Sequence, residues 1–141
     1  MKITFLGHAT LEIQINEFNL LVDPFISGNP MASNVDLDDL KPDFILITHA
    51  HQDHTLDVEK LAKDNNSLII SNFEIVSHFQ NIGLNGHPMN HGGKWNFDFG
   101  ELKYVNAIHT STFPDGSNGG QPGGFIITSN NKSIYIAGDT A

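Results

Sequence analysis

Thr48-His49-Ala50-His51-Gln52-Asp53-His54 is the stretch on which the reading of this chain turns. Three imidazoles and a carboxylate follow one another directly after the apolar run Phe44-Ile45-Leu46-Ile47. Imidazole nitrogen and carboxylate oxygen are the donors that divalent transition metals take, and at neutral pH the imidazoles are largely free of protons. The apolar run predicts a buried strand. A strand ending here puts His49 and His51 on one side, by the period of two, and a turn then brings Asp53 and His54 to the same space from the other flank. That arrangement suits two cations better than one. A solvated loop has no need of so dense a set of ligand-type side chains.

Towards the N-terminus, Ile3 and Phe5, then Leu11, Ile13 and Ile15, alternate with polar neighbours as half-buried strands do. Asn16 to Asn19 form a turn before Leu20-Leu21-Val22, which predicts an antiparallel meander. Gly7-His8-Ala9 interrupts it, and His8 is either a residue of a plain bend or one that faces a site. Asp23-Pro24 ends the third strand, because proline removes a ladder donor. The stretch onward to Asp43 reads as loop, with Asp36, Asp38 and Asp39 a solvated face.

Towards the C-terminus, Val58, Leu61 and Ala62 at helical spacing predict an amphipathic helix over 56–63, with Asp57 complementing its dipole. Leu68-Ile69-Ile70 is a buried strand, and Ser71-x-x-Glu74 has the form of a capping box opening a helix that ends at Gly83, with His78 on its surface. Trp95-Asn96-Phe97, the Asp98-Phe99-Gly100 turn and Leu102 to Val105 predict a hairpin with Trp95 in the core. His87 and His91 read as loop histidines. The loop from Phe113 to Gly124, with five glycines and two prolines, is a lid or a connector. Phe125-Ile126-Ile127 and Ile134-Tyr135-Ile136 flank Asn130-Asn131-Lys132 as a last hairpin. It delivers Gly138-Asp139, and an aspartate at the end of a buried strand is costly unless paired or metal-bound.

The 141 residues are expected to form a single domain, 1–141. All seven basic residues are lysines, against 16 Asp and Glu, for a net charge of -9. With no arginine forks and no basic stripe, nucleic acid is not expected as a partner. The absence of cysteine excludes disulfides and thiolate metal sites. Met1 leads straight into a strand and no segment approaches the length of a membrane span, so the expectation is a soluble, cytoplasmic protein without a membrane partner.

His49-x-His51-x-Asp53-His54 resembles the signature of the metallo-beta-lactamase superfamily. Within it the chain looks most like the small bacterial and archaeal "metal-dependent hydrolase" group related to the ascorbate-phosphate lactonases. Lys2 to Thr10, Asp23-Pro24-Phe25 with Gly28-Asn29-Pro30, and Gly138-Asp139-Thr140-Ala141 carry that likeness. The resemblance implies an α/β fold class, an αββα sandwich, of which this sequence reads as the N-terminal half. It places His49, His51 and His109 on a first metal, Asp53 and His54 on a second, and Asp139 across both, with His8 near the substrate. Asp53 is expected to be catalytic. One or two divalent ions are implied, zinc first, with manganese or iron also admitted by His, Asp and water ligands. A shared water of lowered pKa would then attack a small ester- or lactone-like substrate. A phosphodiesterase or nuclease, or a metal-binding but inactive fragment, is the alternative. The resembled group carries a further half with a last histidine for the second metal, so an open apolar face and self-association are expected.

Overall fold

The computed structural model describes residues 1–141 as two β-sheets packed face to face, with helices on the outer side of one of them. The first sheet has six strands in sequence order: β1 (Lys2–Gly7), β2 (Thr10–Ile15), β3 (Phe18–Val22), β4 (Phe44–Leu46), β5 (Leu68–Ser71) and β6 (Gly86–Pro88). The first three form the expected antiparallel meander, with Ile3 opposite Ile13 and Ile13 opposite Leu20. From β3 onward the pairing is parallel. The second sheet, ordered β10-β9-β8-β7, is antiparallel throughout and comprises β7 (Lys94–Phe97), β8 (Gly100–Asn106), β9 (Gly123–Ser129) and β10 (Lys132–Ile136).

The apolar runs of β3, β4 and β5 are continuous because both faces of these strands are buried. Leu21, Ile45 and Ile69 face the helices α2 (Val58–Asn65) and α3 (Phe73–Gln80) through Leu61, Ala62, Ile75 and Phe79. Leu20, Val22, Leu46 and Ile70 point the other way, against Leu102, Tyr104, Phe125 and Ile127 of the second sheet. Each such side chain contributes on the order of 1.5–3 kcal/mol by leaving water. The parallel strands end together, and their C-terminal ends carry the ligand-rich loop.

Several local expectations are corrected. The ligand loop contains a helical turn, α1 (Gln52–Thr55), and α2 starts at Val58 and runs to Asn65. The cap of α3 is Asn72, whose side chain accepts from the Ile75 amide, whereas Ser71 belongs to β5 and donates to the Ile47 carbonyl. That helix stops at Gln80, and Asn81 to Gly83 only turn. Trp95 is 56% exposed, so it is not core; it lies beside His87 at the edge of the second sheet. The glycine-rich loop is not a free lid. Asn72 Nδ2 donates to the carbonyls of Gly119 and Gln121, Ser111 Oγ donates to Gly119, and the Gly123 amide donates to Thr48.

No helix covers the outer face of the second sheet, and β10 has a free edge. On the inner face of the first sheet, Ile3 and Phe5 of β1 extend past the narrower second sheet and are 49% and 62% exposed. No helix is long and apolar enough to cross a membrane.

Candidate metal centre

The site forms where β4 stops. His49 leaves the strand fully buried, and His51 follows two residues later on the same side. His49 Nε2 faces His51 Nδ1 at 3.1 Å. The loop after β8 brings His109 to both, with ring centroids 5.0 Å from His49 and 5.0 Å from His51. One nitrogen from each of the three lies within 4.8 Å of the others. His51 turns its Nε2 to the Thr110 hydroxyl at 3.2 Å, which leaves Nδ1 for the centre.

The second flank is built on α1. Asp53 and His54 emerge from this single turn, and His54 is completely buried. Gly138 then presents Asp139. Its φ is 64°, and a Cβ there would lie 2.7 Å from Thr48 Cβ, so only glycine lets the chain pass this close to the β4 end. Asp139 reaches both flanks, with Oδ1 3.6 Å from His54 Nε2 and Oδ2 3.7 Å from His109 Nε2. Both separations are too long for good hydrogen bonds. Two ligand atoms held about 2.0–2.1 Å from one tetrahedral ion stand roughly 3.3 Å apart, so the spacing fits shared cations better than direct contact.

Protonation follows from the partners. Asp23, buried and with φ 44°, accepts from the Thr48 amide at 2.8 Å, from Thr48 Oγ1 at 2.7 Å and from His54 Nδ1 at 2.9 Å. A carboxylate only accepts, so His54 carries its proton on Nδ1 and turns Nε2 inward. Thr48 Oγ1, having given its proton to Asp23, accepts from His49 Nδ1 at 3.0 Å, which likewise frees His49 Nε2. Asp23 thereby orients two ligand-type histidines on opposite flanks, the outer-shell device that sets tautomer and ring direction at metal sites. His54 Nε2 is a buried side-chain atom without a hydrogen-bond partner. Such an orphan signals a missing ligand.

Burial, and then the neighbouring imidazoles His54, His51 and His109, push His49 down to about 3, so it is a neutral donor at any ordinary pH. Burial acts the same way on His54, but the hydrogen bond and charge of Asp23, with Asp139 and Asp53, outweigh it and raise that pKa. For Asp53, burial opposes the charge, yet its own backbone amide and the imidazoles of His54, His8 and His49 prevail, and its pKa is lowered. His8 closes the site from the β1–β2 turn, with Nε2 3.0 Å from Asp53 Oδ2.

All six metal-ligand candidates, His49, His51, Asp53, His54, His109 and Asp139, thus meet at one end of the sheets, with His8 beside them. His87 packs on Trp95 and Phe97, His78 stacks on Phe113, and His91 bonds the Pro122 carbonyl; none joins the cluster. Two residues were missed in the sequence. Asp23 looked like a strand end, and Asp57 like a dipole partner. Asp57 is buried and accepts from the amides of Ile26 at 2.6 Å and Ser27 at 3.0 Å and from the Ser27 hydroxyl, fixing the loop beside the site. No local signal marks either, although an Asp-Pro pair after a buried strand could have raised the question of where its carboxylate goes.

Paired sheets with helices outside and a His/Asp cluster at the strand ends define the metallo-beta-lactamase fold. The beta-lactamase superfamily domain matches residues 18–141, and the chain belongs to that superfamily. A metal-dependent hydrolase of Flavobacterium johnsoniae is 61% identical over 141 residues, covering 100% of this chain and 63% of its own length. The chain therefore spans less than two thirds of this relative. Igni18, a metallo hydrolase from Ignicoccus hospitalis, superposes with a TM-score of 0.84 at 29% identity, over 98% of this chain and 60% of its own. An isothiocyanate hydrolase from Delia radicum gut bacteria gives a TM-score of 0.78 at 26% identity, over 100% of this chain and 63% of that one.

Proposed function

We propose that the chain carries the metal centre of a cytoplasmic hydrolase acting on a small ester- or lactone-like substrate. The observation that supports this most is the convergence of His49, His51 and His109 within 4.8 Å, joined to the Asp53 and His54 flank by the two oxygens of Asp139. The donor set is nitrogen and oxygen only, which suits zinc first and manganese or iron after it. Bound divalent ions supply a water of lowered pKa and an electrophile for a carbonyl oxygen.

The chain's own groups do the rest. Asp53, held ionised and braced by His8, accepts the proton of the attacking water on Oδ2 and later returns it to the leaving oxygen. Asp23 and Thr48 keep His49 and His54 in the tautomers that point Nε2 inward. The acidic balance of -9 and the lack of arginine disfavour a nucleic-acid backbone. The likeness to an isothiocyanate hydrolase, an enzyme named for a small-molecule substrate, supports a small substrate here.

Zinc-, manganese- and iron-loaded protein assayed on lactones, thioesters and phosphodiesters tests the reading. Lactone hydrolysis that disappears in His49→Ala/His51→Ala together with the bound metal is expected. Phosphodiester cleavage with lactones untouched would replace the proposal by the phosphodiesterase alternative, and full metal loading without any turnover by the inactive metal-binding one.

Self-association is part of the same reading. The open face of Ile3 and Phe5 and the free edge of β10 offer apolar surface and unpaired backbone together. Sedimentation at micromolar concentration should show dimers or larger species that Phe5→Ser reduces, and a strictly monomeric wild type sinks the idea.

A further inference from the structure

We infer that Ser111 is a positioning residue for the three-histidine set, pinning the loop that carries His109 to the peptide between His49 and His51. This role rests on the metal centre proposed above and adds no ligand to it; it concerns how three imidazoles are kept at one spacing. The Ala50 amide donates to Ser111 Oγ at 3.1 Å, and no backbone carbonyl takes it. Ala50 is fully buried, so without that hydroxyl its N–H has no water to turn to. Ser111 follows His109 by two positions, and Ala50 lies between the other two histidines. One hydrogen bond therefore ties the third imidazole's loop to the backbone of the first pair.

The loop is built to keep the serine in place. Ser111 Oγ donates its own proton to the Gly119 carbonyl at 2.9 Å, and the Gly119 amide donates back to the Ser111 carbonyl at 3.0 Å. Asn72 Nδ2 holds the same Gly119 carbonyl at 2.7 Å and that of Gln121 at 3.0 Å. A Cβ on Gly119 would overlap that of Ala50 and stand 2.6 Å from Ser111 Oγ. Gly119 is not among the glycines of positive φ, so closeness to Ala50, not backbone conformation, requires glycine there. Thr110 adds a second tie, accepting from His51 Nε2 at 3.2 Å. A chain of polar contacts thus runs from the cap of α3 through Gly119 and Ser111 to the peptide that joins the first two ligands. Such constellations must be held to within about 0.5 Å by groups that are themselves locked, and a hydroxyl fixed on both of its sides meets that demand.

Zinc is titrated into metal-free wild type and Ser111→Ala against a competing chelator, cobalt is followed by its visible bands, and urea unfolding of the metal-free proteins is read beside both. In Ser111→Ala the tightest equivalent should weaken about 10- to 100-fold, the loss that follows removal of an outer-shell partner, and its cobalt bands should change. Unchanged affinity and bands overturn the role whatever the urea midpoint, because a hydroxyl that only stabilises the fold moves the midpoint alone. Should Ser111→Ala lose its cooperative transition, Asn72→Asp decides. Aspartate still accepts from the Ile75 amide as a helix cap, but it takes the side-chain donor away from Gly119 and Gln121. A weakened tightest equivalent with altered bands in Asn72→Asp supports the role, and wild-type affinity and bands overturn it. A wild type that binds no cation overturns the metal centre and this role with it; in every other outcome the wild type loads, so the two failures are told apart.

Discussion

His54 Nδ1 donates to Asp23 Oδ2 across 2.9 Å, between two side chains that solvent does not reach. The same oxygen takes the Thr48 hydroxyl, and that hydroxyl in turn takes the proton of His49 Nδ1. One carboxylate thus sets the direction of imidazoles on both flanks of the centre.

Asp23→Asn is the sharpest test of that relationship. Asparagine tolerates the left-handed φ of 44°, so the backbone is kept while an amide replaces the acceptor. Zinc affinity should fall about 10- to 100-fold, as on loss of other outer-shell carboxylates. Calorimetric titration showing wild-type affinity in the variant would remove Asp23 from the site.

Asp57→Ala addresses the loop that carries Phe25 to His8. The carboxylate accepts from two amides and a hydroxyl of Ile26 and Ser27, and its loss leaves buried donors unmet. Destabilisation of about 3 kcal/mol is expected, read as a lower urea midpoint at unchanged slope. An unchanged midpoint shows that the loop finds other acceptors.

The parts of this architecture legible in sequence were those with a local or periodic signature. The alternation in β1 and β2, the doubly buried runs of β3 to β5 and the density of ligand side chains from His49 to His54 each declare themselves within a few positions. His109 and Asp139 came from the superfamily likeness, and the fold places both beside the His49 to His54 cluster. What did not show was anything whose meaning lies at long separation. Asp23 meets His54, and Asp57 meets Ile26, each across 31 positions, and neither acid differs locally from a turn residue or a helix-dipole partner. Trp95 misled because size was taken for burial, although its strand lies at the edge of the second sheet. Ser71 misled because the capping pattern fits one position early, and Asn72 takes the cap instead.

Acid sensitivity of the metal-free protein should carry the mark of His49. Its pKa is lowered from 6.5 to about 3 in the fold. Between those values the unfolded chain holds a proton that the folded one does not, so stability falls as pH is lowered through this window. His54, raised in the fold, acts oppositely: its contribution is full below 6.5 and is lost as pH rises through its folded value. Urea unfolding of metal-free His49→Gln from pH 6.5 to 3 should therefore show a shallower loss than wild type. Equal slopes would mean that His49 titrates in the fold as it does in the unfolded chain.

The proton-handling role of Asp53 makes a kinetic prediction. Its carboxylate lies 3.0 Å from His8, half open to solvent, and its lowered pKa keeps it ionised at neutral pH. A group that acts on the attacking water contributes in the transition state and little in the ground-state complex. With metal retained, Asp53→Ala should lower kcat by about 100-fold or more while KM moves little. Metal content must be measured beside turnover, because Asp53 is also a candidate ligand. A variant that keeps its metal and its kcat but raises KM would place Asp53 in substrate binding, and the water would need another proton acceptor at the centre, with Asp139 the remaining carboxylate facing it.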